Sequence, residues 1–100
     1  MKKFIIINYG FEKPTPEIME RWMSWFGSLT DRIADPGTPF GMGMEITHED
    51  DHPLSPMTGG ASGYTIIHAE NLEEAVAVAK AAPFIDSMRV YECMPAKEMD

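Results

Sequence analysis

Phe4-Ile5-Ile6-Ile7, near the start of the chain, is the stretch that decides the fold. These four consecutive β-favouring side chains predict a strand over residues 3–9 and place apolar groups on both of its faces. A strand with one solvent-exposed face would alternate apolar and polar residues instead. The rest of the molecule must therefore supply a covering for each face of this strand.

A helix follows the first strand and can cover one face. Thr15 is a good N-cap, and Pro16 suits the first helical position. Apolar side chains then recur at helical spacing in one wide stripe, which we assign to core packing. The stripe consists of Ile18, Trp22, Trp25, Phe26, Leu29 and Ile33. The helix is predicted to run to about Ala34, because Pro36 disfavours a helical residue before it.

Three more strands and a second helix complete the pattern. Residues 40–48 alternate apolar side chains with glycine or glutamate, which predicts the second strand. Residues 62–69 predict the third strand and residues 88–94 the last. Between these two, Asn71 and Glu74 have the spacing of a capping box, which predicts the start of the second helix.

The order of these elements, β-α-β-β-α-β, is the α+β ferredoxin-like arrangement. Right-handed crossovers send both helices to one face of a four-stranded antiparallel sheet with strand order 4-1-3-2. The other face stays uncovered, and its apolar character is too extensive for a monomer. A second copy packed sheet to sheet repairs this, so residues 1–100 are predicted to form a single domain that pairs as a homodimer, a dimeric α+β barrel.

Composition excludes several classes of partner. The net charge of −8 argues against nucleic acid and against anionic membranes. No stretch approaches the roughly 20 apolar residues of a membrane span, and nothing marks export, so a cytoplasmic location is expected. Cys93 is the single cysteine, which makes an intramolecular disulfide impossible. The polar tail, residues 96–100, is expected to fray.

The segment between the second and third predicted strands, residues 49–61, is predicted to be a loop because it combines prolines, glycines and acids without periodicity. The run His48-Glu49-Asp50-Asp51-His52 raises the question of a metal site, since histidine and carboxylate ligate divalent ions. Its spacing matches no established site, so we interpret it as a solvated acidic loop. Phosphate-binding glycine loops, nucleophile elbows and paired-cysteine motifs are also absent from the sequence, and no cofactor is predicted.

The predicted topology gathers chemically useful side chains at one end of the sheet, where the first two strands end and the last two begin. They are Asn8, Tyr9, His48, Tyr64 and Arg89. His48 offers a titratable imidazole for acid or base catalysis, and Arg89 a fixed cation. Such a cluster of side chains would suit an anionic or enolate-like small molecule. The alternative is that Arg89 pairs with the acidic loop while His48 is a solvated strand end.

Several segments resemble YCII-related proteins, and together they cover nearly the whole chain. They are residues 2–10 (KKFIIINYG), 16–26 (PEIMERWMSWF), 63–69 (GYTIIHA), 72–75 (LEEA), 79–83 (AKAAP) and 89–92 (RVYE). The resemblance implies the dimeric α+β barrel fold. It implies no catalytic residue, because the histidine that the family's namesake carries in the first helix is missing here. The Asp-Gly-Pro-Phe motif of a related group is also missing, although Gly37-Thr38-Pro39-Phe40 has similar turn chemistry.

Three functional hypotheses stay open on these grounds, and whether the protein is an enzyme is not decided. The first is a YCII-like dimer that binds a small anionic or aromatic metabolite and assists a proton transfer through His48. The second is a non-catalytic binding or accessory module with the same pocket. The third is a purely structural homodimer. Turnover that disappears in a His48→Ala variant would separate the first hypothesis from the other two.

The two-faced apolar character of the first and third strands leads to a first testable prediction. Light scattering at micromolar concentration should give about twice the 11.2 kDa mass of one chain. Ile66→Asp should weaken folding and association together, because it buries an unpaired charge. A wild-type protein that scatters as a clean monomer would contradict the barrel.

Overall fold

The computed structural model describes residues 1–95, so the predicted frayed tail, residues 96–100, lies outside the described part of the chain. In chain order the elements are β1 (Lys2–Tyr9), α1 (Pro16–Ser28), β2 (Ile33–Asp35), β3 (Gly43–Ile46), β4 (Asp51–Leu54), a 3-10 turn (Pro56–Thr58), β5 (Ala61–Ala69), α2 (Leu72–Lys80) and β6 (Ser87–Cys93). A four-stranded antiparallel sheet has the order β2-β5-β1-β6, and β3 pairs with β4 in a separate two-stranded sheet. The ferredoxin-like α+β fold is confirmed.

Strand β1 lies between β5 and β6, and both of its faces are apolar, as predicted. On the helix side, Phe4 and Ile6 are fully buried opposite Ile67 and Thr65 of β5. On the other side, Ile5 is only partly buried. We call this second surface the open face. It consists of Lys3, Ile5, Ile7 and Tyr9 of β1, Tyr64, Ile66 and His68 of β5, and Ser87, Arg89, Tyr91 and Cys93 of β6.

The core lies between the helices and the sheet, and Trp25 of α1 is its largest side chain. The indole is almost completely buried, and its Nε1 donates a hydrogen bond of 3.1 Å to the carbonyl oxygen of Val78 in α2. Ala75 and Ala79 of α2 are buried in the same cluster, and their small side chains allow α2 to pack closely against the sheet. The two helices are therefore linked directly as well as through the sheet.

The first helix ends earlier than predicted. Helix α1 stops at Ser28 rather than near Ala34, with Leu29 as its C-cap. Ile33, which belongs to the helical stripe in the sequence, is instead a strand residue opposite Ile67 of β5. The reason is tertiary: the exposed edge of β5 gains a hydrogen-bonded partner in β2, and this pairing outweighs the local helical pattern.

The predicted second strand over residues 40–48 is also wrong as a member of the main sheet, because the short β2 occupies that place. Part of it forms β3, which pairs only with β4. The predicted loop, residues 49–61, contains β4 and the 3-10 turn. Thr47 explains the reversal between β3 and β4, because its hydroxyl oxygen accepts hydrogen bonds from the backbone N–H groups of Glu49 and Asp50 at 3.3 and 3.0 Å. This turn chemistry brings two short strands together in a hairpin.

Gly37 supplies a prediction of stability, with Gly27 as its control. Gly37 has φ +78°, and a Cβ there would lie 1.6 Å from the carbonyl oxygen of Tyr64. Gly27 lies in α1, and a Cβ added there would meet nothing within 4 Å. Gly37→Ala should therefore lower the free energy of unfolding by more than about 2 kcal/mol, whereas Gly27→Ala should raise it by up to about 1 kcal/mol. Urea denaturation measures both, and equal effects of the same sign would contradict this account.

Candidate ligand-binding site

A cavity of about 560 Å³ lies at the end of the main sheet where β1 ends and β5 begins. Its lining is mostly apolar and comes from the N-terminal part of α1, the β1–α1 loop and the segment that follows β2. The apolar residues are Phe11, Pro14, Ile18, Met19, Trp22, Met23, Phe26, Pro36, Pro39 and Ile85. The polar residues are Asn8, Glu12, Thr38, Ser62, Tyr64 and Thr65, with Gly10, Gly37 and Gly63 between them. The cavity is therefore an apolar cleft with a few polar groups.

Helix α1 forms one wall of the cavity, and its start is well defined. The hydroxyl oxygen of Thr15 accepts a hydrogen bond of 3.2 Å from the N–H of Ile18, with Pro16 at the first helical position. The wide apolar stripe that the sequence assigns wholly to the core is divided between two surfaces. Trp25 and Leu29 are buried in the core, whereas Trp22 and Phe26 pack against the core and also line the cavity. Ile18 lines the cavity.

The opposite wall is residues 36–39, held against the start of β5. The Tyr64 hydroxyl donates a hydrogen bond of 2.8 Å to Oδ2 of Asp35, and the N–H of Gly37 donates one of 2.9 Å to Oδ1. Thr65 donates from its hydroxyl to the carbonyl oxygen of Pro36 at 3.1 Å. The Gly37 and Tyr64 hydrogen bonds lower the pKa of Asp35, and the bond to this carboxylate raises the pKa of Tyr64.

Asn8 is the polar residue at the end of β1 on the cavity side. Its Oδ1 is buried and has no hydrogen-bond partner, which holds for no other buried side-chain nitrogen or oxygen of residues 1–95. A buried acceptor without a donor costs about 1–3 kcal/mol, so such groups in a native protein need an explanation. Its position beside an apolar cavity makes a bound molecule one such explanation.

The structure divides the site residues predicted from the sequence into three places. Asn8 and Tyr64 line the cavity, although Tyr64 lies opposite Ile7 and so belongs to the open face as well. Tyr9 and Arg89 meet on the open face, where the guanidinium carbon lies 4.8 Å from the centre of the Tyr9 ring. His48 is exposed in the turn between β3 and β4 and does not line the cavity.

Two physical causes produce this division. Side chains alternate along a strand, so the consecutive residues Asn8 and Tyr9 point to opposite faces of the sheet. The hairpin carries His48 away from the main sheet, because β3 does not join that sheet. The ligand-binding role of Asn8, Tyr9, Tyr64 and Arg89 and the catalytic role of His48 stay predictions.

The cavity also contains residues that the sequence reasoning missed. Met19 and Met23 are exposed, although they lie on a helix with an apolar stripe, and both belong to the cavity wall. Together with Trp22 and Phe26 they make the apolar surface of α1 wider than the core needs. This excess width is the sequence feature that indicates a cavity wall. Thr38 and Pro39 carried no such signal, because their position depends on the pairing of β2 with β5.

Neither a metal site nor a membrane-spanning helix is found in the described part of the chain. Within residues 1–95, no three or more histidine, cysteine, aspartate or glutamate side chains are grouped so that they could hold a metal ion. His52 and Asp50 of the acidic run do approach, with Nε2 2.8 Å from Oδ1. Neither α1 nor α2 is long and apolar enough to cross a membrane.

Comparisons with known proteins identify a likeness of fold. No family model matches the sequence, and no curated protein matches it. Among solved structures, the chain is similar to 5-chloro-2-hydroxyhydroquinone dehydrochlorinase (TftG) from Burkholderia phenoliruptrix AC1100, in complex with 2,5-dihydroxybenzoquinone. The TM-score is 0.52 and the identity 19%, over 96% of this chain and 97% of the other. The two proteins therefore share a fold, which supports the α+β architecture predicted from the sequence.

The Asp35–Tyr64 hydrogen bond leads to a prediction about pH. Because the pKa of Asp35 is lowered in the folded protein, the resulting stabilisation is present above the ordinary value of 3.8 and is lost as pH falls through the folded value. Tyr64→Phe removes one of the two donors to this carboxylate. The variant should be less stable than wild type near neutral pH, and the difference in Tm should shrink as the pH is lowered to about 2.

Ser24→Ala is the control, because the Ser24 hydroxyl makes no side-chain hydrogen bond to the described residues and the residue is exposed on α1, away from the open face and the cavity. Thermal unfolding followed by circular dichroism across this pH range measures all three proteins. A constant difference in Tm between wild type and Tyr64→Phe at every pH would show that the hydrogen bond does not perturb the carboxylate.

Proposed function

We propose that this protein is a YCII-like domain that binds a small aromatic molecule in the cavity between α1 and the sheet. The observation that carries the proposal is the lining, in which aromatic and methionine side chains surround a few polar groups. A volume of about 560 Å³ lies within the usual range for small-molecule sites. We also propose that the protein is a homodimer, which the partly apolar open face supports.

The lining favours an aromatic ligand over an anionic one. Trp22, Phe26 and Phe11 offer ring faces and edges against which an aromatic ring can pack. Met19 and Met23 are flexible and polarizable, so they can adapt to the shape of a ring. The lining includes Glu12 but no lysine, arginine or histidine among residues 1–95. Transfer of a neutral ring from water into this cavity therefore costs less free energy than transfer of a carboxylate.

Asn8 favours a ligand that carries a hydroxyl or N–H group. Its Oδ1 is a buried acceptor without a donor, and the side chain belongs to the cavity wall. The terminal torsion of asparagine is soft, so a small rotation of the amide can turn this oxygen toward a bound molecule. A hydroxylated ring would then satisfy Asn8 while its apolar body fills the cleft.

The structurally similar TftG supports a small ring as the ligand, since its structure contains 2,5-dihydroxybenzoquinone. Binding is the function that the cavity of this chain supports. The acid or base role of His48 remains a separate prediction, because the histidine lies in the hairpin turn. Loss of turnover in His48→Ala, with ligand binding unchanged, is the result that would establish it.

Calorimetric titration with hydroquinone, phenol and unsubstituted benzene tests the site, and 2,5-dihydroxybenzoquinone serves as a ring that is anionic at neutral pH. Met23→Asp places a charge in the cavity wall at a position that is 72% exposed, so it should weaken binding at least about tenfold without unfolding the protein. Met57→Asp is the matched control, because Met57 is 70% exposed on the 3-10 turn and lies outside the cavity. It should leave the Kd unchanged.

Asn8→Leu tests the polar contact in the same titrations. It removes the acceptor and keeps a similar volume, so the preference for hydroxylated over unsubstituted rings should fall by about 2- to 10-fold. Absence of saturable binding by every ring in the panel would reject the proposed function. Equal loss of affinity in Met23→Asp and Met57→Asp would place the ligand outside this cavity.

A further inference from the structure

The hairpin formed by β3 and β4 lacks a covering surface among residues 1–95. Every residue of both strands is exposed, and the two strands pair only with each other. Met44 and Ile46 lie on the same face of β3, and they are 54% and 78% exposed. An isolated two-stranded hairpin is marginally stable in water at best. Its apolar face therefore needs another surface to pack against.

The start of the hairpin places it on the side of the open face. Just before β3, the N–H of Phe40 donates to the carbonyl oxygen of Ser62 at 2.9 Å. The Phe40 ring stacks on that of Tyr64, an open-face residue, with 5.8 Å between the ring centres. The radius of gyration is 14.8 Å, against about 13 Å for a compact chain of this length, so one copy is less compact than an average domain.

The charges of the hairpin and of the open face are complementary. The hairpin turn carries Glu49 and Asp50, and Asp51 is the first residue of β4. In a chain of net charge −8, the open face carries the cations of Lys3 and Arg89 instead. Neither cation has a carboxylate of the described residues within 4.0 Å, as the ion pairs found there involve Lys2, Arg32 and His52. The open face also has the Asp35 carboxylate at its β2 edge, where the Tyr64 hydroxyl donates to it, and in the hairpin Asp50 approaches His52. Arg89 and Glu49 therefore remain among the charges that have no ion-pair partner within residues 1–95.

We propose that the occupant of the open face is the hairpin of a second copy of this chain. Met44 and Ile46 of one copy pack on the apolar residues of the other copy's open face, which include Ile5, Ile7 and Ile66. The acidic turn then faces Arg89. Because each copy has one hairpin and one open face, the exchange is reciprocal and closes a dimer with two-fold symmetry. This goes beyond sheet-to-sheet contact, since it gives the hairpin a specific place.

The docking also changes where His48 lies. His48 directly precedes Glu49 in the chain. Docking of the hairpin therefore brings this histidine close to Arg89 and Tyr9 of the other copy. Residues that are far apart within one chain would then lie close together in the dimer. This arrangement does not depend on the aromatic ligand, so a failure of the titrations leaves it standing.

Sedimentation equilibrium of the full chain tests the exchange. Ile46→Asp and Arg89→Glu should each raise the dimer Kd at least about tenfold, because they remove the apolar and the charged contact. Met44→Asp is a second variant on the same face of the hairpin. Leu72→Asp and Arg21→Glu are the matched controls on exposed helical positions, with the same chemical changes, and they should alter Kd less than about threefold.

Mixing two variants gives a direct test of contact between copies. A chain with Arg89→Glu is combined with a chain with Glu49→Lys, and circular dichroism confirms that each is folded. The mixed dimer should be tighter than either variant alone, since the reversed charges meet again. A monomeric wild type, a Kd unchanged by Ile46→Asp and Arg89→Glu, or a mixed dimer no tighter than its parents would each overturn the proposal.

Discussion

The pairing of β1 with both β5 and β6 is the constraint on which the rest of the structure depends. Phe4 and Ile6 are fully buried beneath the helices, and they can be so only because the backbone of β1 is hydrogen-bonded on both edges. The same strand presents Ile5 and Ile7 to the other side. One face of β1 thus packs in the core and beside the cavity. The other face forms an apolar surface that remains partly exposed to solvent in a single chain.

The fold was predictable where local patterns and global topology agree. Residues of β1, the caps at Thr15 and Asn71, and the order of the main sheet all follow from sequence signals that the structure confirms. The errors fall on β2 and β3. Ile33 continues a helical stripe but pairs with β5, and the strand-like run after Phe40 forms half of a hairpin. Which strand fills a sheet edge depends on tertiary contacts that periodicity does not encode.

The candidate site was predictable in its location and only partly in its membership. Topology placed Asn8 and Tyr64 at the correct end of the sheet, and both line the cavity. Tyr9 is the next residue along β1 and faces away from Asn8, because consecutive side chains of a strand point to opposite faces of the sheet. Trp22 and Phe26 pack against the core as predicted and also line the cavity, and the sequence does not reveal this second role because a cavity wall and a core have the same apolar composition. The distinction depends on how far α1 lies from residues 36–39, which only the folded chain defines.

The two tryptophans of the chain occupy different environments although their rings are in contact. Trp25 is 5% exposed and hydrogen-bonded to Val78, whereas Trp22 is half-buried at the cavity, with 5.7 Å between the two ring centres in an edge-to-face arrangement. The near-ultraviolet spectrum of this protein therefore contains two built-in reporters. Trp25 follows the integrity of the helix–sheet packing, and Trp22 follows the state of the cleft. A quencher dissolved in water reaches the second indole before the first, so occupancy and unfolding leave separate optical signatures.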